Sequence, residues 1–308
     1  MQTAYITDPA CRKHEMMAGH PEAPGRLDAI QDRLLISGVL DAIAVIDHAP
    51  CATREDLLAV HTAEHIDSMM ARLPSEGYVA FDPDTMANRY TGEAVLRAAG
   101  AAVKATEMVL AGEVQNAFCA IRPPGHHATR DAVMGFCFVN NVAVAAQVAL
   151  GRGGLERVAI ADFDVHHGNG TEDIFAQDDR VLMVGIFQHP LYPFSGEQPL
   201  GENIVCVPLP AGADGVAFRA AVTDVWLPAL EAFRPQMVFI SAGFDAHQED
   251  PLGGLRLRAE DYRWVTERLL EVAQRHAAGR VVSVLEGGYD EPALARCVEV
   301  HLRAMAGI

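Results

Sequence analysis

The chain has 308 residues, 50% of them hydrophobic, and a formal net charge of −17, which is enough apolar material for one large α/β domain or two smaller ones. That charge, with no Lys/Arg cluster to offset it, opposes binding to nucleic acid or to an anionic membrane surface and favours a cationic substrate. No charged segment leading into an apolar one opens the chain, and no apolar run approaches the roughly 18 residues of a bilayer span, so the expected location is cytoplasmic. The cysteines (Cys11, Cys51, Cys119, Cys137, Cys206, Cys297) show no Cys-x-x-Cys spacing and several lie in apolar runs, so neither disulfides nor a zinc knuckle is expected.

In chain order, Thr3 to Ile6 predicts a first strand and Cys11 to Pro24 a loop. His14 and Glu15 in that loop resemble a metal pair in isolation, but polar residues of a surface loop are the simpler account. Gly25 to Ser37 predicts a helix with Leu27, Ile30 and Leu34 on one face. Thr53 and Thr62 are N-caps of two short helices, which makes His61 and His65 helix-end or helix-face residues. Pro74 to Gly92, with Asp82 and Asp84 around Pro83, predicts a loop with the reach to approach a site. Ala94 to Leu110 is an Ala-rich helix. Ala117 to Ile121 is the next strand, and it ends at Arg122-Pro123-Pro124-Gly125-His126-His127. Two prolines and a glycine fix an irregular backbone there, which regular structure does not require. Adjacent histidines after such a turn favour function over accident. A helix from Asn140 to Leu150 follows.

The run Val158 to Ala161 reads as a buried parallel strand, and Asp162-Phe163-Asp164-Val165-His166-His167-Gly168-Asn169-Gly170 follows at its carboxyl end. A period of 2 sends Asp162, Asp164 and His166 to one face and His167 to the other. Two carboxylates and an imidazole beside four apolar residues are costly to bury without a cation. Further strands end likewise: Val181 to Ile186 at Phe187 to Phe194, Met237 to Ile240 at Ser241 to His247, and Val281 to Leu285 at Glu286 to Tyr289. Strands alternating with helices predict one α/β domain over residues 1–308, with a mostly parallel sheet and helices on both faces. Ligands bind beyond the carboxyl ends of such strands, so these loops should converge. Asp164, His166 and Asp245 would then supply three metal ligands and leave a fourth position to water, as in a catalytic zinc site.

Taken together, Arg122 to His127, Gly135 to Asn141, Asp162 to Gly170, Gly243-Phe244-Asp245 and Glu286 to Tyr289 resemble the zinc-dependent histone deacetylase family of the arginase/deacetylase superfamily. The likeness extends to His20-Pro21-Glu22 with Arg26 and to Asp250 to Gly254, so it covers essentially the whole chain. Asn169, where class I members carry Asp, is similar to the class II branch and its bacterial amidohydrolase relatives. The resemblance implies Zn2+ on Asp164, His166 and Asp245, with His126 and His127 facing the water and the scissile amide. It implies that Asp162 orients His126, and that Tyr289, held by Gly287 and Gly288, donates to the oxyanion. Phe136 and Tyr192 would form tunnel walls, Leu252 the floor or rim, and Asp84 a rim contact to the substrate's backbone amides.

The chain departs from the family's pattern at three places. Gly185 stands where many members use a serine hydroxyl for a structural K+, which leaves backbone carbonyls to serve; Phe187 replaces a common histidine; and neutral Asn169 backs His127. A binuclear manganese ureohydrolase would need a carboxylate where this chain has Gly168. The implied activity is hydrolysis of acetyl or related acyl groups on lysine, in peptide or protein, or on acetylated polyamines. A silent acyl-lysine binding module is opposed by the complete set of histidines, ligands and tyrosine. Oligomeric state and acyl length are not encoded in any motif.

Overall fold

Runs of Val, Ile and Ala such as Val158–Asp162 and Val281–Leu285 form strands whose every residue is buried, as a parallel sheet covered on both faces requires. The computed structural model describes residues 2–308. Ten strands occur in it: β1 Thr3–Ile6, β2 Ala44–Ile46, β3 Tyr78–Ala80, β4 Met86–Asn88, β5 Asn116–Cys119, β6 Val158–Asp162, β7 Val181–Gln188, β8 Ile204–Leu209, β9 Val238–Ala242 and β10 Val281–Leu285. Eight build one sheet in the order β2-β1-β5-β10-β9-β6-β7-β8, with every pairing parallel.

Helices cover both faces of the sheet. Thr91–Leu110 packs against Asn141–Leu150 in one group, while Gly25–Ile36 and Ala259–His276 pack against Glu291–Ala306 in another. Local chemistry starts these helices where the sequence predicts. Thr53 and Asp56 form a reciprocal capping box, Thr62 accepts from His65 N–H, and Asn140 accepts from Ala143 N–H at 3.0 Å, contacts worth about 1 kcal/mol each.

The order of the sheet decides where the chemistry goes. Its four central neighbours, β5, β10, β9 and β6, end in the loops that carry His126-His127, Glu286–Tyr289, Asp245 and Asp164-His166. Their ends are level, since Cys119 pairs with Val284, Leu285 with Ala242, and Ser241 with Asp162. Parallel strands about 4.8 Å apart with aligned ends bring the four loops to one edge.

Three sequence expectations need correction. Residues Pro74 to Gly92 are not loop throughout, because β3 and β4 pair as an antiparallel hairpin. Both edge strands, β2 and β8, escape sequence reading; β8 contains Pro208, which an edge strand tolerates because one side of it needs no hydrogen bond. The segment from Cys11 to Pro24 begins in a 3-10 turn, Pro9–Arg12, and is not simply a surface loop: His14 and Glu22 are fully buried, while Glu15 stays exposed. Glu22 is gripped by two buried guanidiniums, Arg122 through both carboxylate oxygens and Arg26 at 3.0 Å. Burial alone would raise the Glu22 pKa, but these cations and His14 hold it well below the ordinary carboxylate range.

Candidate active site

Asp164, His166 and Asp245 converge at the sheet edge, all three buried, with one possible ligand atom from each within 4.8 Å of the others. His166 Nδ1 lies 3.1 Å from Asp164 Oδ1 and 3.1 Å from Asp245 Oδ2. The remaining carboxylate oxygens are pinned by main chain: Asp164 Oδ2 accepts Gly287 N–H at 2.8 Å and Asp245 Oδ1 accepts Val165 N–H at 2.8 Å. Gly287 and Gly243 make this approach possible, because a Cβ on either would come within 2.0 Å of a carboxylate oxygen of Asp245 or Asp164.

The electrostatics of this trio fit a cation. Burial, then the neighbouring charge of Asp164, pushes Asp245 up to about 7. Burial opposes a charge on His166, yet its bonds to Asp164 and Asp245 raise it to about 10. The crowded carboxylates therefore demand positive charge at the point His166 Nδ1 faces, and a divalent ion meets that demand with the N/O donor set that zinc accepts. Among the described residues no other such cluster occurs. Gly168 offers no carboxylate for a second ion, and a Cβ there would come within 2.3 Å of Asp162 Oδ2.

Beside the trio stand His126 and His127, with ring centroids 4.1 Å apart and opposite electrostatic settings. His126 Nδ1 lies 3.0 Å from Asp162 Oδ2; burial opposes its charge, but Asp164 and Asp162 outweigh it and hold the ring protonated. Burial and the adjacent positive charges of His126 and His166 push His127 well below its ordinary value, so it is neutral. Its tautomer follows from Asn169, whose Nδ2 faces Met134 Sδ at 3.3 Å, leaving Oδ1 to accept from His127 Nδ1–H at 2.7 Å. His127 Nε2 thus carries a free lone pair. Glu286 was not singled out by the sequence, yet its buried carboxylate accepts the N–H groups of Gly125 (2.7 Å) and His126 (3.1 Å) and sets the histidine turn on the sheet. The signal for it is its position at the end of β10, directly before the paired glycines.

A cavity of about 480 Å3 opens onto these groups, lined by Asp82, Pro83, Asp84, His127, Met134, Gly135, Phe136, His166, Leu191, Tyr192, Leu252 and Tyr289. Every wall residue expected from the sequence is there; Gly287 instead sits behind the carboxylates, and Met134 and Leu191 are additions. Tyr192 stands with its ring 5.3 Å from that of His127, and Phe136 meets Tyr289 edge-on at 5.9 Å. The Tyr289 ring lies 4.9 Å from the Arg26 guanidinium, which donates from Nε to Gly288 O at 2.6 Å. Burial first of all raises the phenol well above its ordinary pKa, so it stays a donor.

The histidine turn, the Asp162–Gly170 turn and the Glu286–Tyr289 loop all lie inside residues 20–305, which match the profile of the histone deacetylase domain. The chain belongs to the histone deacetylase family. It is 40% identical over 298 residues to the histone deacetylase-like amidohydrolase of Pseudomonas aeruginosa, covering 94% of this chain and 78% of that protein. It is 38% identical over 315 residues to a probable deacetylase of Archaeoglobus fulgidus, covering 100% of this chain and 87% of that one. The crystal structure of the HDA15 HD domain superposes with a TM-score of 0.90 at 35% identity, over 99% of this chain and 90% of that one. The histone deacetylase fold and a deacetylase or amidohydrolase class of activity follow from this membership. At Gly185, where the resemblance suggests a potassium ligand, there is no side-chain oxygen; the residue packs against Cys206, and its carbonyl accepts the indole N–H of Trp226 at 3.1 Å. No helix is long and apolar enough to cross a membrane.

Proposed function

We propose that the chain is a zinc-dependent amidohydrolase that removes acetyl or related acyl groups from lysine side chains or similar cationic amines. The observation that carries this reading is geometric: His127, its Nδ1 held by Asn169 Oδ1 at 2.7 Å, lines one cavity with Tyr289 and with His166, the member of the Asp164–His166–Asp245 trio that reaches it. A zinc ion held by those three residues would polarise the amide carbonyl and acidify a water molecule. His127 Nε2 takes the proton of the attacking water and returns one to the departing amine. Protonated His126, steadied by Asp162, adds positive charge beside the developing oxyanion, and the Tyr289 hydroxyl donates a hydrogen bond to it. Phe136 and Tyr192 flank the acyl-lysine chain and Leu252 closes the wall.

Asp84 supports a lysine-bearing peptide as substrate. Its neighbour Asp82 is committed to the turn, accepting Asp84 N–H at 2.8 Å and Thr85 Oγ1–H at 2.9 Å. The exposed Asp84 carboxylate takes no hydrogen bond from the described residues and lines the cavity mouth. It is free to accept the substrate's backbone N–H groups, a charge-assisted contact worth roughly 1.5 to 3 kcal/mol.

The decisive assay compares acetyl-lysine peptides, longer acyl-lysine peptides and acetylputrescine on the purified zinc-loaded chain. Hydrolysis of none of them would overturn the reading, and strong preference for acetylputrescine would move it to small amines. Within the same assay, Asp84→Ala is expected to lower kcat/KM for the peptide by roughly tenfold to a hundredfold and to leave a minimal acyl-amine nearly unchanged. Equal losses on both substrates would make the loop structural only.

A further inference from the structure

His167 directly follows the candidate ligand His166, yet its ring goes to the other side of the turn, where the proposed chemistry leaves it unused. There it is buried against Phe187, with ring centroids 4.9 Å apart. Its Nδ1 lies 2.8 Å from Ser195 Oγ and its Nε2 lies 3.2 Å from Glu172 Oε2. The second oxygen of Glu172, itself buried, accepts Leu200 N–H at 2.9 Å. Between these two contacts Gly196, at φ +92°, lies flat on the ring; a Cβ there would come within 2.7 Å of His167 Cδ2. One buried His–Glu pair therefore touches the segment Ser195 to Leu200 at both ends, at Ser195-Gly196 and at Leu200.

That segment belongs to the loop after β7, which has little to hold it from within. Between Pro190 and Leu200 its one internal main-chain hydrogen bond runs from Phe194 N–H to Leu191 O at 2.8 Å. Phe194 sits in the left-handed region at φ +62° with 74% of its surface exposed, so its own side chain contributes little to fixing that conformation. Yet the first half of the loop places Leu191 and Tyr192 in the cavity wall. A segment so poor in internal bonds leans on external ties, and beside the more exposed contacts of Gln177 Nε2 with Leu200 O (3.4 Å) and of His189 with Glu197 (3.4 Å), the His167–Glu172 contacts are the buried ones.

We infer that His167 is a positioning residue which, with Glu172, clamps Ser195 to Leu200 and thereby holds Tyr192 in the cavity wall, so that it governs how tightly the acyl-lysine chain is bound. The kinetic consequence rests on the deacylase reading; the clamp itself is a property of the fold and is measured without turnover. Ser195→Ala opens the clamp at its far end and touches no candidate ligand. Amide hydrogen exchange over residues 191–200 is expected to accelerate by roughly twofold to tenfold, the effect of losing one hydrogen bond. KM for the peptide should rise by about the same factor, with kcat within about twofold and bound zinc unchanged, since only ground-state positioning is lost. Ser195→Thr, which keeps the hydroxyl, should restore both. A second variant, His167→Asn, keeps a polar atom near the Nδ1 position and should disturb the loop less than His167→Ala. Unchanged exchange and KM in Ser195→Ala would overturn the inference, and so would a fall in kcat or zinc content without loosening of the loop. Faster loop exchange in a chain that hydrolyses none of the amides would support the clamp and overturn only the deacylase reading.

Discussion

Asp245→Ala is expected to leave the purified chain without its divalent ion and without measurable turnover. Asp245 supplies one of three converging donor atoms and is buried, with Oδ2 3.1 Å from His166 Nδ1. Losing a mere outer partner of a ligand typically costs about 10- to 100-fold in metal affinity, so losing a ligand should cost more than that. Metal analysis after dialysis checks the expectation directly. Asp245→Asn is the necessary companion, because it preserves volume and the oxygen that accepts Val165 N–H at 2.8 Å while removing the charge. If both variants fold and both lose the ion, the charge of Asp245 holds it. Stoichiometric metal in Asp245→Ala would remove this residue from the ligand set and, with it, the proposed mechanism.

The second large effect is expected from Tyr289→Phe, which should lower kcat by on the order of 100-fold while leaving bound metal and peptide affinity nearly unchanged. The ring keeps its place without the hydroxyl. It is held by the Arg26 guanidinium 4.9 Å away, by the edge of Phe136, and by the main-chain bond from Tyr289 N–H to Asp250 Oδ2 at 2.6 Å. What the substitution removes is the hydroxyl of a ring that lines the cavity, and a donor that acts only on the developing oxyanion affects kcat rather than binding. Near-normal turnover in this variant would take the oxyanion role from Tyr289. A rise in KM alone would make the phenol a substrate-binding group.

The pairing of Asp164 with His166 could be read from a single stretch, because both lie at one strand end and a backbone period of 2 relates them whatever the rest of the chain does. Asp245 is 79 residues further on, and the rule that parallel strands open their ligand sites at one edge was enough to bring it to the pair. His126 and His127 announced themselves by a rigid turn. Their division of labour followed only from the family resemblance and not from any local pattern, because it depends on the group each ring meets: His126 meets the Asp162 carboxylate, and His127 meets the neutral amide of Asn169. Asn169 and Asp162 lie dozens of residues from the histidines, and only the folded sheet sets one against each ring.

The sequence by itself determined the α/β class, the central strands, the helix caps and the three donor residues, since all of these follow from local periodicity, turn chemistry and the burial of apolar runs. Tertiary structure alone decided the burial of Glu22 between Arg26 and Arg122, the support of the histidine turn by Glu286, and the grip of His167 and Glu172 on the Tyr192 loop. An ionisable residue in a polar stretch reads as solvated, and nothing local reveals that its partner will arrive from a distant strand. The hairpin of β3 and β4 and the edge strands β2 and β8 were hidden for a related reason: each is short or lacks a regular alternation, and it becomes a strand only because a neighbouring backbone is there to accept and donate its hydrogen bonds.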